Sequence, residues 1–321
     1  MKDKVTDAEI DKAIAEAEDM SKPSLVDRLW GPIGDRLDTP PPNRDYIIKD
    51  LLVSGKVGIL AGHGGRGKTW ALTQLAISIA TGKGWFGRFY IPKQGRVILA
   101  LGEEDQEEMH RRIYEAKDAL KLSPEQYKDI KKNLFDMPLA GHDVSFLDGE
   151  GQPTEFYNNL HARITAEEDL RLVILDPLSR FAGHDTETDN KSATTFITHL
   201  EKLTKANSKL SVICAHHEKK PGSSSKDDQF SVRGSSGLVD GARWVARLGP
   251  VYKQGGDLDY RKTRFSVVKS NYSGHMEPLT LEKREGCSGV LFPEEMAFGG
   301  SSSPGRKAGG YSSDLVDDAD L

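Results

Sequence analysis

The chain has 321 residues, 37% hydrophobic and 29% charged, with a formal net charge of −5. That is the make-up of a globular protein of one large domain or two small ones, and its acidic total argues against a general nucleic-acid coat while leaving room for a local basic channel. Two cysteines, Cys214 and Cys287, are too few for a disulfide framework, and neither an apolar leader nor a run of the ~20 residues needed to span a bilayer is visible, so a cytoplasmic, non-membrane protein is expected.

Residues 6–20 predict a helix, with Thr6 and Glu9 as a capping box and Ile10, Ala13, Ile14, Ala17 and Met20 as a stripe. Pro23, Pro32 and Pro40, Pro41 and Pro42 then mark an irregular linker. Residues 1–43 are therefore set apart as an N-terminal helix and Pro-rich linker, with the helix either docking on a neighbouring subunit or packing on its own domain. The main domain is expected over 44–298. Residues 299–321, rich in Gly and Ser and carrying Asp314, Asp317, Asp318 and Asp320, are expected to be a disordered acidic tail.

The main domain is organised around its first buried strand. Val57, Ile59, Leu60 and Ala61 lead into Gly62, His63, Gly64, Gly65, Arg66, Gly67, Lys68 and Thr69, after which Ala71, Leu72, Leu75, Ala76 and Ile79 recur at helical spacing. Strand, glycine loop and helix in that order match G-x-x-x-x-G-K-[ST]. Glycines let successive N–H groups turn toward an anion, and the helix adds the positive end of its dipole. Lys68 reaches the β- and γ-phosphates of a nucleoside triphosphate, and the Thr69 hydroxyl ligates Mg²⁺. Gly62, Gly64, Gly65, Arg66, Gly67, Lys68, Thr69 and Trp70 are the expected ATP cradle.

Arg96–Leu101 predicts a second buried strand, ending in Glu103 and Glu104, and a helix follows with Asp105 and Glu108 as its capping box. Ser123, Pro124 and Gln126 begin another helix, 135–153 is less regular, and 156–168 is helical. Leu170–Asp176 and Ser211–His216 read as two more buried strands, with a helix carrying Phe196, Ile197, Leu200 and Leu203 between them. After a polar loop, a helix is expected through Leu238, Val239, Ala242 and Val245, and then a β-meander over 264–269, 279–282 and 290–292. Buried strands alternating with amphipathic helices predict an α/β fold, a mostly parallel sheet covered on both faces and finished by the meander. Ligands of such sheets bind at the carboxyl ends of the strands. Asp176 stands at one such end as a Mg²⁺ ligand, Glu103 or Glu104 at another as the base for an attacking water, and one of His216 and His217 at a third, facing the γ-phosphate.

The loop GHGGRGKT, the strand end GEED, and LVILDPLSRF, AHHEKKPG, RGSSGLVDGARW and VVKSNYSG occur in this order. In that order they resemble the plasmid replicative helicases of the RepA type, within the RecA-like P-loop ATPases, over residues 44–292. The resemblance implies a ring, usually hexameric, that hydrolyses ATP at subunit interfaces around single-stranded DNA. It assigns Glu104 as the catalytic carboxylate, Asp176 as the second metal-side acid, His216 as the γ-phosphate sensor and Arg233 as an arginine finger. Arg66 departs from the small residue usual in that loop. Lys219, Lys220 and Lys226, in or beside the polar loop, are candidate DNA contacts. A RecA-like recombinase or annealing ATPase, and a regulatory or loading ATPase that acts on protein partners, are the alternative readings.

Overall fold

The computed structural model describes residues 24–183, 186, 189–207, 209–218, 236–274 and 276–294. The expected helix over 6–20, the polar loop after His217 and the acidic tail lie outside the described residues. The chain divides into two compact units, Met1–Arg44 and Asp45–Leu321. In the first, Ser24 caps a short helix, α1 (Leu25–Leu29), by exchanging hydrogen bonds with Asp27, and none of the residues of α1 is buried.

The second unit opens with a small hairpin, β1 (Tyr46–Ile48) and β2 (Leu52–Val53). The remaining strands are β3 (Val57–Gly62), β4 (Arg96–Leu101), β5 (Leu134–Pro138), β6 (Leu170–Asp176), β7 (Ser211–His217), β8 (Trp244–Tyr252), β9 (Leu258–Ser270), β10 (Leu279–Lys283) and β11 (Leu291–Pro293). They form one nine-stranded sheet in the order β11-β10-β9-β8-β3-β7-β6-β4-β5. From β8 to β5 all neighbours are parallel, and from β8 to β11 all are antiparallel. The expected parallel sheet with a terminal meander is therefore the fold observed.

Helices α2 (Lys68–Thr81), α3 (Gln106–Ala119), α4 (Pro124–Asn133), α5 (Glu155–Ala166), α6 (Leu178–Ala182), α7 (Asn190–Ala206) and α8 (Ser236–Gly241) complete the unit. Alternate side chains of β6 feed two cores. Val173 and Leu175 pack with Tyr157, Phe181, Phe196 and Leu200 from α5, α6 and α7 on one face, whereas Leu172 and Ile174 pack with Leu72, Leu75 and Ile79 of α2 on the other.

Three local readings change. Leu134–Pro138 is a parallel edge strand rather than irregular chain; its middle residues are exposed, so the sequence offers no apolar run there. The helix expected to reach Val245 stops at Gly241, and Trp244 begins β8, which fills the second edge of β3 from Gly58↔Trp244 to Gly62↔Leu248. Hydrogen bonding of the central strand outweighs the helical spacing of Leu238, Ala242 and Val245. At α3 only half of the capping box forms: Asp105 accepts from the Glu108 N–H at 2.8 Å, while the Glu108 carboxylate turns to Arg111 and Arg112. The box at α4, Ser123 with Gln126, is complete.

Candidate active site

Gly67 caps α2 with φ +92° and offers no side chain to the helix, so the first N–H groups of α2 open into the loop. Gly65, with φ +77°, makes the turn at the tip. Lys68 is only 5% exposed. Its ammonium donates to the Gly62 and His63 carbonyls at 2.6 and 3.2 Å and lies 3.2 Å from His217 Nδ1. Burial draws its pKa below the ordinary lysine value, while the charges of Asp176, Glu218 and Glu103 pull the other way. Arg66 is half-buried, and its Nε has no hydrogen-bond partner among the described residues.

Asp176 ends β6 and is buried. Burial raises its pKa against the opposing effects of the Thr69 hydroxyl and the Lys68 charge. Its Oδ2 has no hydrogen-bond partner among the described residues. A desolvated carboxylate oxygen next to a hydroxyl is a hard-oxygen donor set that suits Mg²⁺. No group of three or more His, Cys, Asp or Glu that could hold a metal occurs among the described residues.

The neighbouring strand β4 delivers Glu103 and Glu104. Glu103 is exposed and Glu104 half-buried, its Oε1 accepting from Arg112 Nη2 at 2.5 Å. Burial raises the pKa of Glu104, and Arg112 opposes the rise. At the end of β7 the two histidines separate: His217 reaches the Lys68 ammonium, and His216 is buried. Burial first, then the charges of His217 and Lys68, lower the His216 pKa to about 4, so its imidazole is neutral at pH 7.

Sequence reading missed the residue that follows. The Glu218 side chain is fully buried; its carboxylate accepts from Arg247 Nε on β8 at 2.8 and 3.1 Å, and Oε2 lies 3.6 Å from His63 Nε2. The Glu218 carbonyl is also 3.1 Å from His63 Nδ1. These contacts tie the phosphate loop, the exit of β7 and β8 together. The only hint in the sequence is a lone Arg247 inside an otherwise apolar strand. Arg112 was missed as well, being one of many charges on an amphipathic helix. Lys219, Lys220, Lys226 and Arg233 lie outside the described residues, while Arg243 is exposed between α8 and β8.

Lys68, Thr69, Glu104, Asp176, His216 and His217 thus sit at the carboxyl ends of β3, β4, β6 and β7, which are neighbours in the sheet. Among the described residues, no helix is long and apolar enough to cross a membrane. Residues 29–223 match the sequence profile of a family described as AAA domain, more than half of the chain. Among solved structures, the fold is similar to the ATPase domain of G40P, with a TM-score of 0.55 at 12% sequence identity, over 90% of this chain and 100% of that one.

Proposed function

Because the chain belongs to the AAA domain family and carries its ATPase domain, we propose that it works as an ATP-dependent DNA motor of the ring-forming replicative helicase kind. The observation that carries the reading is the convergence of the phosphate loop, Asp176, Glu104 and the histidine pair on one rim of the sheet. The RepA-like motif order over 44–292 supports the choice of a DNA motor.

In this reading Gly62, Gly64, Gly65, Arg66, Gly67 and Trp70 border the nucleotide, and Lys68 follows its β- and γ-phosphates into the transition state. Thr69 and Asp176 hold Mg²⁺, which when bound neutralises phosphate charge. Glu104 accepts the proton of the attacking water. His216, with His217 on the Lys68 ammonium, registers the presence of the γ-phosphate and passes it to the loop that follows. Arg233 enters the site of the next subunit, where its fork stabilises transition-state charge. Single-stranded DNA lies against Lys219, Lys220 and Lys226, and the assembly is a hexameric ring.

The test is ATPase rate with and without single-stranded DNA, alongside particle shape and unwinding of a forked duplex. DNA stimulation, closed rings and unwinding are expected. A filament without unwinding would instead indicate a recombinase or annealing ATPase, and indifference to DNA a regulatory or loading ATPase. Arg233→Ala is expected to bind nucleotide but lose about 10³- to 10⁵-fold in rate, and mixing it with Lys68→Ala to restore some activity. A wild type fully active as a monomer excludes the finger.

A further inference from the structure

The carboxylate read as the base is not held by its own loop. Glu104 follows the end of β4 in an irregular turn, and its side chain is fixed from α3, where Arg112 Nη2 donates to Oε1 at 2.5 Å. The same guanidinium nitrogen lies 3.3 Å from Glu108 Oε1. Its Cζ lies over the Trp70 ring, 5.0 Å from the centroid. Trp70 directly follows Thr69, and on its indole lies the β10–β11 turn: a Cβ added at Gly289 would meet Trp70 Nε1 at 2.0 Å. The Arg112 side chain is 12% exposed and Glu104 23%, so bulk water screens the pair only in part.

We propose that Arg112 is a positioning residue for hydrolysis, its guanidinium seated over Trp70 and using one nitrogen, Nη2, to aim the Glu104 carboxylate. The inference rests on the reading of Glu104 as the water-activating base. A carboxylate on a turn has two soft torsions before its head group, and a charge-assisted bond to one oxygen removes most of that freedom while leaving the second oxygen for a water. Among the described residues, the charges facing Glu104 are Glu103 from its own turn, Arg112 and Glu108 from α3, and Asp176 from β6. Arg112 is the one cation among them. Without it three carboxylates and burial all favour the protonated acid, which cannot accept a proton from water.

The experiment is steady-state ATP hydrolysis against pH for Arg112→Gln, Arg112→Lys, Glu104→Gln and the Arg112→Gln/Glu104→Gln pair, each checked for native circular dichroism. Arg112→Gln is expected to lower kcat by about tenfold or more with KM for ATP within about twofold, and to move the acid limb of the kcat profile to higher pH. Arg112→Lys keeps the charge but not the planar head group over Trp70, so its limb stays at the wild-type position while kcat recovers only in part. In the double variant Arg112→Gln adds nothing to the loss from Glu104→Gln, since the group it aims is already inert. Should Glu104→Gln be slow and the two losses multiply, or should the limb of Arg112→Gln coincide with wild type, Arg112 does not act through Glu104. Normal turnover by Glu104→Gln would overturn the base reading itself, and the positioning role with it. If Arg112→Gln does not fold, the same cycle run with Arg112→Lys decides by the same multiplication.

Discussion

β6 and β9 are both long strands of one sheet, yet all seven residues of β6 are buried while β9 buries only Thr263 and Phe265 among its thirteen. β6 lies between α2 on one face and α5, α6 and α7 on the other, so no position along it can hold a solvated polar group until the strand ends. The parallel half therefore keeps its polar residues near the strand ends, with Arg171 buried and paired with Asp45 at the start of β6, and Asp176 and the β7 histidines at the carboxyl rim. The antiparallel half spreads polar side chains along its length and serves the site from outside. Its grips include Lys283 of β10, whose ammonium donates to the Gly65 carbonyl of the glycine loop at 3.4 Å. Gln74 of α2 donates to the Leu291 carbonyl at 2.9 Å and accepts from the Leu291 N–H at 2.8 Å, and Gly289 lies on Trp70. Substitutions at the rim of the parallel half should thus change rate, and those in the meander should change stability.

The largest effect tests the first half of that contrast. Lys68→Ala is expected to reduce hydrolysis by about 10³-fold or more by removing the charge that follows the phosphates. Its unfolding midpoint should stay near wild type. A folded Lys68→Ala protein with normal turnover would end the phosphate-loop reading.

Gln74→Ala tests the second half. It leaves the buried N–H and C=O of Leu291 without partners, which destabilises by about 3 kcal/mol and lowers Tm by roughly 6–12 °C. KM for ATP in the surviving folded fraction should change little. An unchanged Tm would mean that the β11 grip contributes nothing to the fold.

His216 stands where the two halves of the contrast meet, a rim residue buried like a core one. Its folded pKa, about 4, lies below the ordinary histidine value. The unfolded chain therefore binds a proton first as the pH falls, and stability present above about pH 6.5 is lost on the way down to about pH 4. Between pH 7 and pH 5 this single group accounts for a loss of about 2 kcal/mol. Denaturant unfolding of wild type and His216→Gln across that window reads it directly: the variant should show the shallower decline, and equal slopes would refute the burial argument.

The smallest expected effect is at Tyr260 on β9, 78% exposed. Tyr260→Ser should change stability by no more than about 0.5 kcal/mol and leave hydrolysis unchanged. A larger loss of activity would show that the open face of the meander contacts a partner during turnover.

The difference between the halves also explains what could be read in advance. Val57–Gly62, Arg96–Leu101 and Leu170–Asp176 are legible because burial on both faces demands largely apolar runs, and their carboxyl ends point to Lys68, to Glu103 or Glu104, and to Asp176; the choice of Glu104 came from the family resemblance. β8 was not legible, because its Arg247, Gly249 and Pro250 break the run and the preceding residues repeat at helical spacing. β5 was hidden for the opposite reason, as an edge strand with exposed middle residues.

Local chemistry written in consecutive residues was determined by the sequence alone: the glycines that open the loop, the lysine and threonine that follow, and the helix whose N–H groups face them. Those features depend on backbone geometry over a few positions. The tertiary structure alone decided which distant side chains complete them. Lys68 meets a histidine 149 residues away, and Gln74 a strand 217 residues away. Arg112 closes on Glu104 over only eight positions, yet that contact needs α3 to turn back across the end of β4. Glu218 pairs with Arg247 because β7 and β8 flank β3 on its two edges. Pairings of this kind are set by the order of strands in the sheet and by the requirement that buried charges find partners, and neither is written at any single position of the chain.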